Sequence, residues 1–155
     1  MPTRRSAGLL LYRRAENGAL EVLIAHMGGP FWAHKDSGAW SIPKGEYSPS
    51  EDPLQAARRE FHEELGLPPP QGQELHLGSA RQRSGKIIDI WALPADLEVG
   101  EIHGNTFQMH WPPGSGQLRS YPEVDRAGWF DTPQARDKLT PGQVPFLDEL
   151  ERLLG

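Results

Sequence analysis

Three glutamates lie close together near the middle of the chain. Glu60, Glu63 and Glu64 occur in the run Arg-Glu-Phe-His-Glu-Glu that begins at Arg59. Side chains three and four positions apart are neighbours on a helix, so these carboxylates would crowd one helical face. Like charge and partial burial would then raise the pKa of at least one of them. Magnesium relieves such crowding and binds one or two protein carboxylates together with substrate phosphates. The cluster therefore predicts magnesium-dependent phosphate chemistry.

The helix that carries these glutamates has a defined start and end in the sequence. Asp52 is a suitable N-cap, Pro53 suits the first helical position, and Gln55 completes a capping-box pattern. Gly66 supplies the stop. At about 100° per residue, one apolar stripe forms beside the glutamates. Its members are Leu54, Ala57, Phe61 and Leu65. One side of the helix is therefore predicted to pack against a core while the glutamates face a cleft.

Apolar segments before this helix predict strands. The segments 8–13 and 20–26 are joined through an Asn-Gly step, which favours a hairpin turn between antiparallel strands. Segment 27–39 is rich in glycine and aromatic residues and is predicted to be a loop. Segment 40–42 alternates like a short strand. The helix is therefore expected to follow the first part of a sheet.

The segments after the helix predict more sheet and two further helices. Segments 75–81 and 86–93 form a second hairpin. One face of its second strand carries Ile88, Ile90 and Ala92. Proline and glycine pairs in 94–122 predict a long connection. The remaining predicted elements are a strand at 106–111, a strand at 124–130, a short helix at 132–138 and an amphipathic helix at 144–154.

Composition narrows the class of protein. A chain of 155 residues fits one domain, which at this length buries roughly 70% of its unfolded surface. The formal charge of −5 disfavours nonspecific binding to long nucleic acid. The absence of cysteine excludes disulfides and thiolate metal sites. The apolar run at 8–12 is too short for a signal peptide or a membrane span. We therefore expect a cytoplasmic protein with one domain, residues 1–155, and a small-molecule partner.

Residues 45–67 resemble the signature of the Nudix hydrolase superfamily at every specified position. The matching positions are Gly45, Glu51, Arg59, Glu60, Glu63, Glu64, Gly66 and Leu67. Phe61 stands where the family more often has an aliphatic residue. The resemblance implies an α+β fold, an α/β/α sandwich in which helices flank a mixed β-sheet and the signature forms loop, helix and loop at the active site. It also implies hydrolysis of a pyrophosphate bond, with Mg²⁺ or Mn²⁺, in a nucleoside diphosphate linked to another group.

The resemblance also implies roles for single residues. Glu63 and Glu64 correspond to the acidic pair near the metal, and Glu60 to a further ligand or the general base. The carbonyl group of Gly45 is a further metal ligand in this comparison. All three glutamates are therefore predicted catalytic residues, and the choice of the base stays open among them.

Other residues are predicted to support the site or bind substrate. Glu51 and Arg59 resemble the pair that ties the helix to its preceding loop. Lys44 could bind a phosphate group of the substrate. Cations on the second hairpin could clamp outer phosphates: Arg81, Arg83 and Lys86. Aromatic residues that could stack on a base are Phe31, Trp32 and Trp40, with core packing as the alternative for Trp40. Candidates for a distal acid are Glu98, Glu101 and Glu123.

The substrate is predicted less sharply than the reaction. Nucleoside triphosphates and dinucleoside polyphosphates are favoured. Gln82 stands where ADP-ribose enzymes of the family carry a proline, and the chain also lacks the tyrosine that many diadenosine polyphosphate enzymes carry. Residues 40–45 resemble the same segment in enzymes for diadenosine and diphosphoinositol polyphosphates. The alternatives are ADP-ribose, nucleotide sugars, diphosphoinositol polyphosphates, or a metal-dependent nucleotide sensor without turnover. Both a monomer and a homodimer are compatible with the sequence.

Overall fold

The computed structural model describes residues 4–100 and 103–155. Seven described strands form one sheet: β1 (Arg5–Arg14), β2 (Leu20–Met27), β3 (Trp40–Ser41), β4 (Lys44–Glu46), β5 (Leu75–Arg81), β6 (Ile87–Pro94) and β9 (Val124–Asp131). A separate ribbon contains β7 (Thr106–His110) and β8 (Leu118–Pro122). The helices are α1 (Pro53–Leu65), α2 (Thr132–Lys138) and α3 (Val144–Leu154). None of the described helices is long and apolar enough to cross a membrane.

The main sheet is mixed. Its central order is β3-β2-β1-β6-β5, with β4 paired to β1 and β9 paired to β2. The β1 and β6 strands run parallel, and the other pairs are antiparallel. The parallel pairing requires a crossover between β1 and β6, and α1 lies in the chain between them.

Helices cover both faces of this sheet. Successive side chains of a strand point to opposite faces, and β1 is apolar on both of them. Leu9 and Leu11 belong to the core cluster that contains Phe61 of α1. Leu10 belongs to the opposite cluster, which contains Leu147 of α3. The predicted α+β sandwich with a mixed sheet is therefore confirmed.

Most predicted elements are confirmed with small changes in their bounds. Both hairpins form, and α2 and α3 begin and end where the sequence predicted. Two strands were missed. The β4 strand has only three residues, which are held by backbone pairing to β1. The β8 strand is mostly exposed and pairs only with β7, so it lacks the apolar alternation of a core strand.

The α1 helix has the predicted ends. The Asp52 carboxylate accepts a hydrogen bond from the Gln55 backbone at 3.0 Å, and Gly66 ends the helix with φ of 72°. The full capping box occurs at α2 instead, where both the side chain and the backbone of Asp131 bond to Gln134. The buried stripe of α1 differs from the prediction because Ala56 is buried and Leu54 is only partly so.

Candidate active site

The glutamates of α1 line a cleft of about 480 Å³. Residues from β1, β4, α1 and the β8–β9 junction meet around it. The lining residues are Ser6, Met27, Ser41, Lys44, Gly45, Glu46, Glu60, Glu63, Glu64, Lys86, Asn105, Glu123 and Val124. The cleft thus combines clustered carboxylates with two lysines.

Arg59 connects the carboxylates of this helix. Its Nε and Nη2 atoms donate to Glu51 at 2.7 and 3.0 Å, which is the pairing predicted from the sequence. Its Nη1 atom also donates to Glu60 at 2.9 Å and to Glu63 at 3.0 Å. The guanidinium holds the pKa of Glu51 below its usual range. Arg59 therefore ties the loop before α1 to two of the cleft's carboxylates.

Glu64 is the most deeply placed of the three glutamates. Its Oε1 atom accepts a hydrogen bond from the Lys44 backbone amide at 3.2 Å. Burial raises its pKa to about 8, and the nearby Glu123 and Glu60 add to the rise. Burial is also the main cause that raises the pKa of Glu60. The sequence predicts like charge and burial together as causes of a raised pKa, and burial is the larger cause for both Glu60 and Glu64.

Gly45 lies against the carboxylate of Glu60. A Cβ atom added at Gly45 would lie 1.9 Å from Oε2 of Glu60, which no side chain tolerates without movement. The loop glycine therefore leaves room for this carboxylate. The hydrogen bonds of β4 to β1 hold the loop at this distance.

The carboxylate oxygens in the cleft are suitable ligands for a hard divalent cation. Their present arrangement is not a closed metal site. Within residues 4–100 and 103–155, no three acidic or histidine side chains converge as a ready ligand set. The contacts of Arg59 explain this, because Glu60 and Glu63 point their oxygens at its guanidinium. Carboxylate oxygens remain the ligand type that magnesium prefers. The carboxylates of the cleft are therefore of the right ligand type for the cation. Their side chains must rotate before they can coordinate it.

Residues that flank the β7–β8 ribbon also line the cleft. The Asn105 backbone amide donates to the Glu63 carbonyl at 2.8 Å, and the Glu123 amide donates to the Asn105 carbonyl at 3.0 Å. These bonds place the Glu123 side chain at the cleft. Of the predicted distal acids, Glu98 is exposed and does not line the cleft, and Glu101 lies outside the described residues.

Sequence reasoning missed six residues of the cleft lining: Ser6, Met27, Ser41, Glu46, Asn105 and Val124. Asn105 was missed because it lies in the connection that had no readable pattern. The Ser6 hydroxyl is buried and has no hydrogen-bond partner within the described part of the chain. Nothing in the sequence distinguishes Ser6 from any other strand serine, since its position depends on the pairing of β1 with β4 and β6.

The predicted phosphate-binding cations divide into two groups. Lys44 and Lys86 line the cleft, and the Nζ atom of Lys86 lies 3.5 Å from Oε2 of Glu46. Arg81 and Arg83 are exposed at the second hairpin and do not line the cleft. Arg81 instead donates to the Gly85 carbonyl at 3.1 Å. The structure therefore does not bring these two arginines to the carboxylates.

The predicted base-stacking residues also do not line the cleft. Trp40 is 4% exposed, its ring packs edge-on against His26 and Phe130, and its Nε1 donates to Asp36. Trp40 therefore packs in the core, which is the alternative that the sequence analysis gives for it. Trp32 is partly buried and packs edge-on against the exposed Phe31, outside the cleft lining.

A comparison with known protein families identifies the family to which this fold and cleft belong. A model of the NUDIX domain family matches residues 2–150, which is nearly the whole chain. The chain belongs to the NUDIX family.

Known relatives and solved structures extend this result. An RNA pyrophosphohydrolase of Cellvibrio japonicus is 44% identical over 50 residues, which are 31% of this chain and 29% of the relative. An Ap4A hydrolase of C. elegans has a TM-score of 0.64 at 22% identity, covering 96% of this chain and 97% of that chain. The NUDIX domain of NrtR from Shewanella oneidensis, complexed with ADP ribose, has a TM-score of 0.70 at 15% identity. The match covers 100% of this chain and 90% of that chain. These structural likenesses establish the fold. The chain spans less than a third of the length of the curated relatives it matches.

Proposed function

We propose that this chain hydrolyses a pyrophosphate bond in a nucleoside diphosphate derivative. Nucleoside triphosphates and dinucleoside polyphosphates are the proposed substrates, and Mg²⁺ is the proposed cofactor, with Mn²⁺ as a substitute. One observation carries the proposal: the complete signature places its three glutamates in one cleft beside Lys44 and Lys86. Family membership supports the same reaction class.

The cation would be held by Glu60, Glu63, Glu64 and the Gly45 carbonyl. When bound, the cation offsets the charge of the diphosphate and lowers the pKa of water. The glutamates are the only acidic groups that α1 presents to the described cleft. These oxygen atoms would form the ligand set beside the place where the phosphates would lie.

The chain's own side chains would perform the remaining steps. One cleft glutamate removes a proton from water, the water oxygen attacks phosphorus, and the bridging oxygen leaves with the second phosphate. Lys44 and Lys86 would bind the phosphate oxygens. Arg59 would orient Glu60 and Glu63, which it already contacts. No covalent intermediate is needed.

Glu64→Gln tests this proposal. With Mg²⁺ and a panel of nucleotides, we expect the variant to lose about 10²- to 10⁴-fold in turnover while it stays folded. The panel includes nucleoside triphosphates, dinucleoside polyphosphates, ADP-ribose, nucleotide sugars and diphosphoinositol polyphosphates. Glu98→Gln is the matched control, because Glu98 is exposed outside the cleft lining. Wild-type turnover in Glu64→Gln would remove Glu64 from the mechanism.

A metal-dependent nucleotide sensor without turnover is the second candidate. The bonds of Arg59 to Glu60 and Glu63 favour it, because they hold two carboxylates away from a cation. Product release and ligand-induced melting shifts separate the two functions. A sensor would be stabilised by nucleotide and cation, and it would release no product.

The proposed molecule has one domain, residues 1–155, and acts as a monomer or homodimer on a small nucleotide in the cytoplasm. The continuous family match over residues 2–150 supports the single domain. Light scattering of the purified chain measures the oligomeric state.

A further inference from the structure

A second, larger groove lies next to the carboxylate cleft. Its volume is about 920 Å³, and it shares Glu46 with the cleft as a common wall. The start of β1, the β6 strand and the loop before α1 contribute its sides. Its lining includes Arg5, Tyr47, His76, Asp89 and Trp91. The two spaces are therefore close enough for one elongated ligand to occupy both.

An aromatic platform forms one side of this groove. The rings of His76 and Trp91 stack with their centroids 4.6 Å apart and their planes inclined by 24°. The His76 side chain is 51% exposed, so solvent reaches this pair. A planar ligand ring can extend such a stack. Any nucleobase can bind in this way, because every base has a π-face.

A buried carboxylate lies beside the platform. Asp89 is 7% exposed and accepts hydrogen bonds from the Ser79 hydroxyl and, at 3.3 Å, from the Tyr47 hydroxyl. The nearest cationic atoms are farther away, at 3.6 Å for Arg5 Nη1 and 4.0 Å for His76 Nε2. An ionised carboxylate offers about four acceptor sites. Two hydroxyl groups occupy two of these sites, so Asp89 keeps acceptor capacity while Arg5 forms an ion pair with its charge.

We propose that this groove recognises a guanine base, and that the phosphates of the same nucleotide extend past Glu46 and Lys86 into the cleft. Guanine carries two adjacent donors, its ring N1–H and its exocyclic amino group, which match the two oxygens of Asp89. Adenine and cytosine place an acceptor nitrogen beside their amino group, and that lone pair would face the carboxylate. The guanine ring would stack on the exposed face of the His76–Trp91 pair. The phosphate end of this arrangement rests on the proposed function, whereas the base end does not.

Binding of nucleoside monophosphates to the full chain without divalent cation tests the base end. We expect GMP to bind about 10-fold or more tightly than AMP, CMP or UMP by calorimetry, since one bidentate contact discriminates bases by about this factor or more. Asp89→Asn should weaken GMP binding and leave AMP binding unchanged or stronger, because an amide presents one donor and one acceptor. Equal binding of the four monophosphates would overturn the proposal.

His76→Ala separates recognition from folding, because His76 is half-exposed. We expect this variant to lose about fivefold or more in affinity for GMP, with an unchanged melting temperature. Trp129→Phe is the control, since Trp129 packs on Arg13 and donates to the Leu97 carbonyl outside the groove. Unaltered GMP affinity in both Asp89→Asn and His76→Ala would contradict the proposal.

Hydrolysis of GTP and ATP with Mg²⁺ distinguishes this proposal from the proposed function. If GMP binds as expected but no nucleotide is hydrolysed, the groove assignment stands and the hydrolase assignment fails. If GTP and ATP are hydrolysed with equal kcat/KM and His76→Ala changes neither, the hydrolase assignment stands and the guanine assignment fails. Success of both predicts a higher KM for GTP in His76→Ala with little change in kcat.

Discussion

Glu64 couples the candidate site to the stability of the protein. Burial raises its pKa from the ordinary value of 4.5 to about 8 in the folded chain. Because the folded protein binds this proton more tightly than the unfolded chain, the group stabilises the fold fully at low pH. That contribution is lost as the pH rises from about 4.5 to about 8. The cation-free protein therefore carries a destabilising carboxylate at alkaline pH.

Glu64→Gln should remove this pH dependence. We expect the cation-free variant to exceed the wild type in free energy of unfolding by on the order of 2 to 4 kcal/mol at the alkaline end, because the amide carries no charge to bury. The difference should shrink toward the acidic end. Urea unfolding at several pH values measures it, and parallel curves for the two proteins would contradict the assignment of a buried, titrating Glu64.

Gly45→Ala tests the fit between the loop and Glu60. The new methyl group would collide with the Glu60 carboxylate, which is the flexible end of a side chain and can move away. We therefore expect a loss of hydrolysis of at least about 10-fold, since the carboxylate leaves its position, with a melting temperature close to that of the wild type. Gly100→Ala is the matched control, because a Cβ there meets nothing within 4 Å. A fully active Gly45→Ala enzyme would show that the close approach has no function.

The contacts of single residues were predictable only where the signature specifies them. The Glu51–Arg59 pair was predicted and is present. The additional bonds of Arg59 to Glu60 and Glu63 were not predicted, because they depend on the rotamer that the guanidinium adopts between the helix and the loop.

At the scale of elements, the C-terminal end of α1 is completed by a distant segment. The amide of His103 donates to the Leu65 carbonyl at 3.4 Å, and that of Asn105 donates to the Glu63 carbonyl. These bonds satisfy carbonyl groups that the end of a helix leaves without partners. Gly104 lies between them, where a Cβ would be 1.8 Å from the Glu64 carbonyl oxygen. The segment that docks on α1 also leads into the β7–β8 ribbon.

Gly104→Ala should loosen this docking. The clash is with backbone atoms, which cannot turn aside, so we expect a loss of about 1 to 3 kcal/mol in the free energy of unfolding. Hydrolysis should fall as well, because Asn105 and Glu123 move with the segment. Chemical denaturation and nucleotide assays measure the two effects, and Gly100→Ala again serves as the control. If both stability and hydrolysis stay at their wild-type values, the segment accommodates the methyl group without a loss of free energy.

At the scale of the whole molecule, the sheet is a layer between two cores. Leu9 and Leu10 are adjacent in β1, both are fully buried, and they face opposite clusters. A strand that is buried on both faces has a continuous apolar run in its sequence, and residues 7–12 of β1 form such a run. The cleft lies where this sheet meets α1 and the residues that flank the ribbon.

Leucine-to-alanine changes should report this layering. We expect Leu9→Ala and Leu10→Ala each to cost about 2 to 5 kcal/mol in the free energy of unfolding, because each leaves a cavity in one of the two cores. Leu118→Ala is the control: Leu118 is 55% exposed on the ribbon, and a change of about 0.5 kcal/mol or less is expected. A small cost for only one of the two core variants would mean that only one face of β1 is packed.

The sequence by itself determined the signature helix, its caps, both hairpins and the membership of Glu60, Glu63 and Glu64 in one cleft. These features depend on neighbours along the chain, through helical periodicity, turn residues and capping side chains. Tertiary structure alone selected Glu123 among the three candidate distal acids, placed Trp40 in the core, and joined His76, Asp89 and Trp91 into a groove. Those outcomes depend on strand register and on where a ribbon without a periodic pattern docks, and neither is encoded by residue types at local spacing.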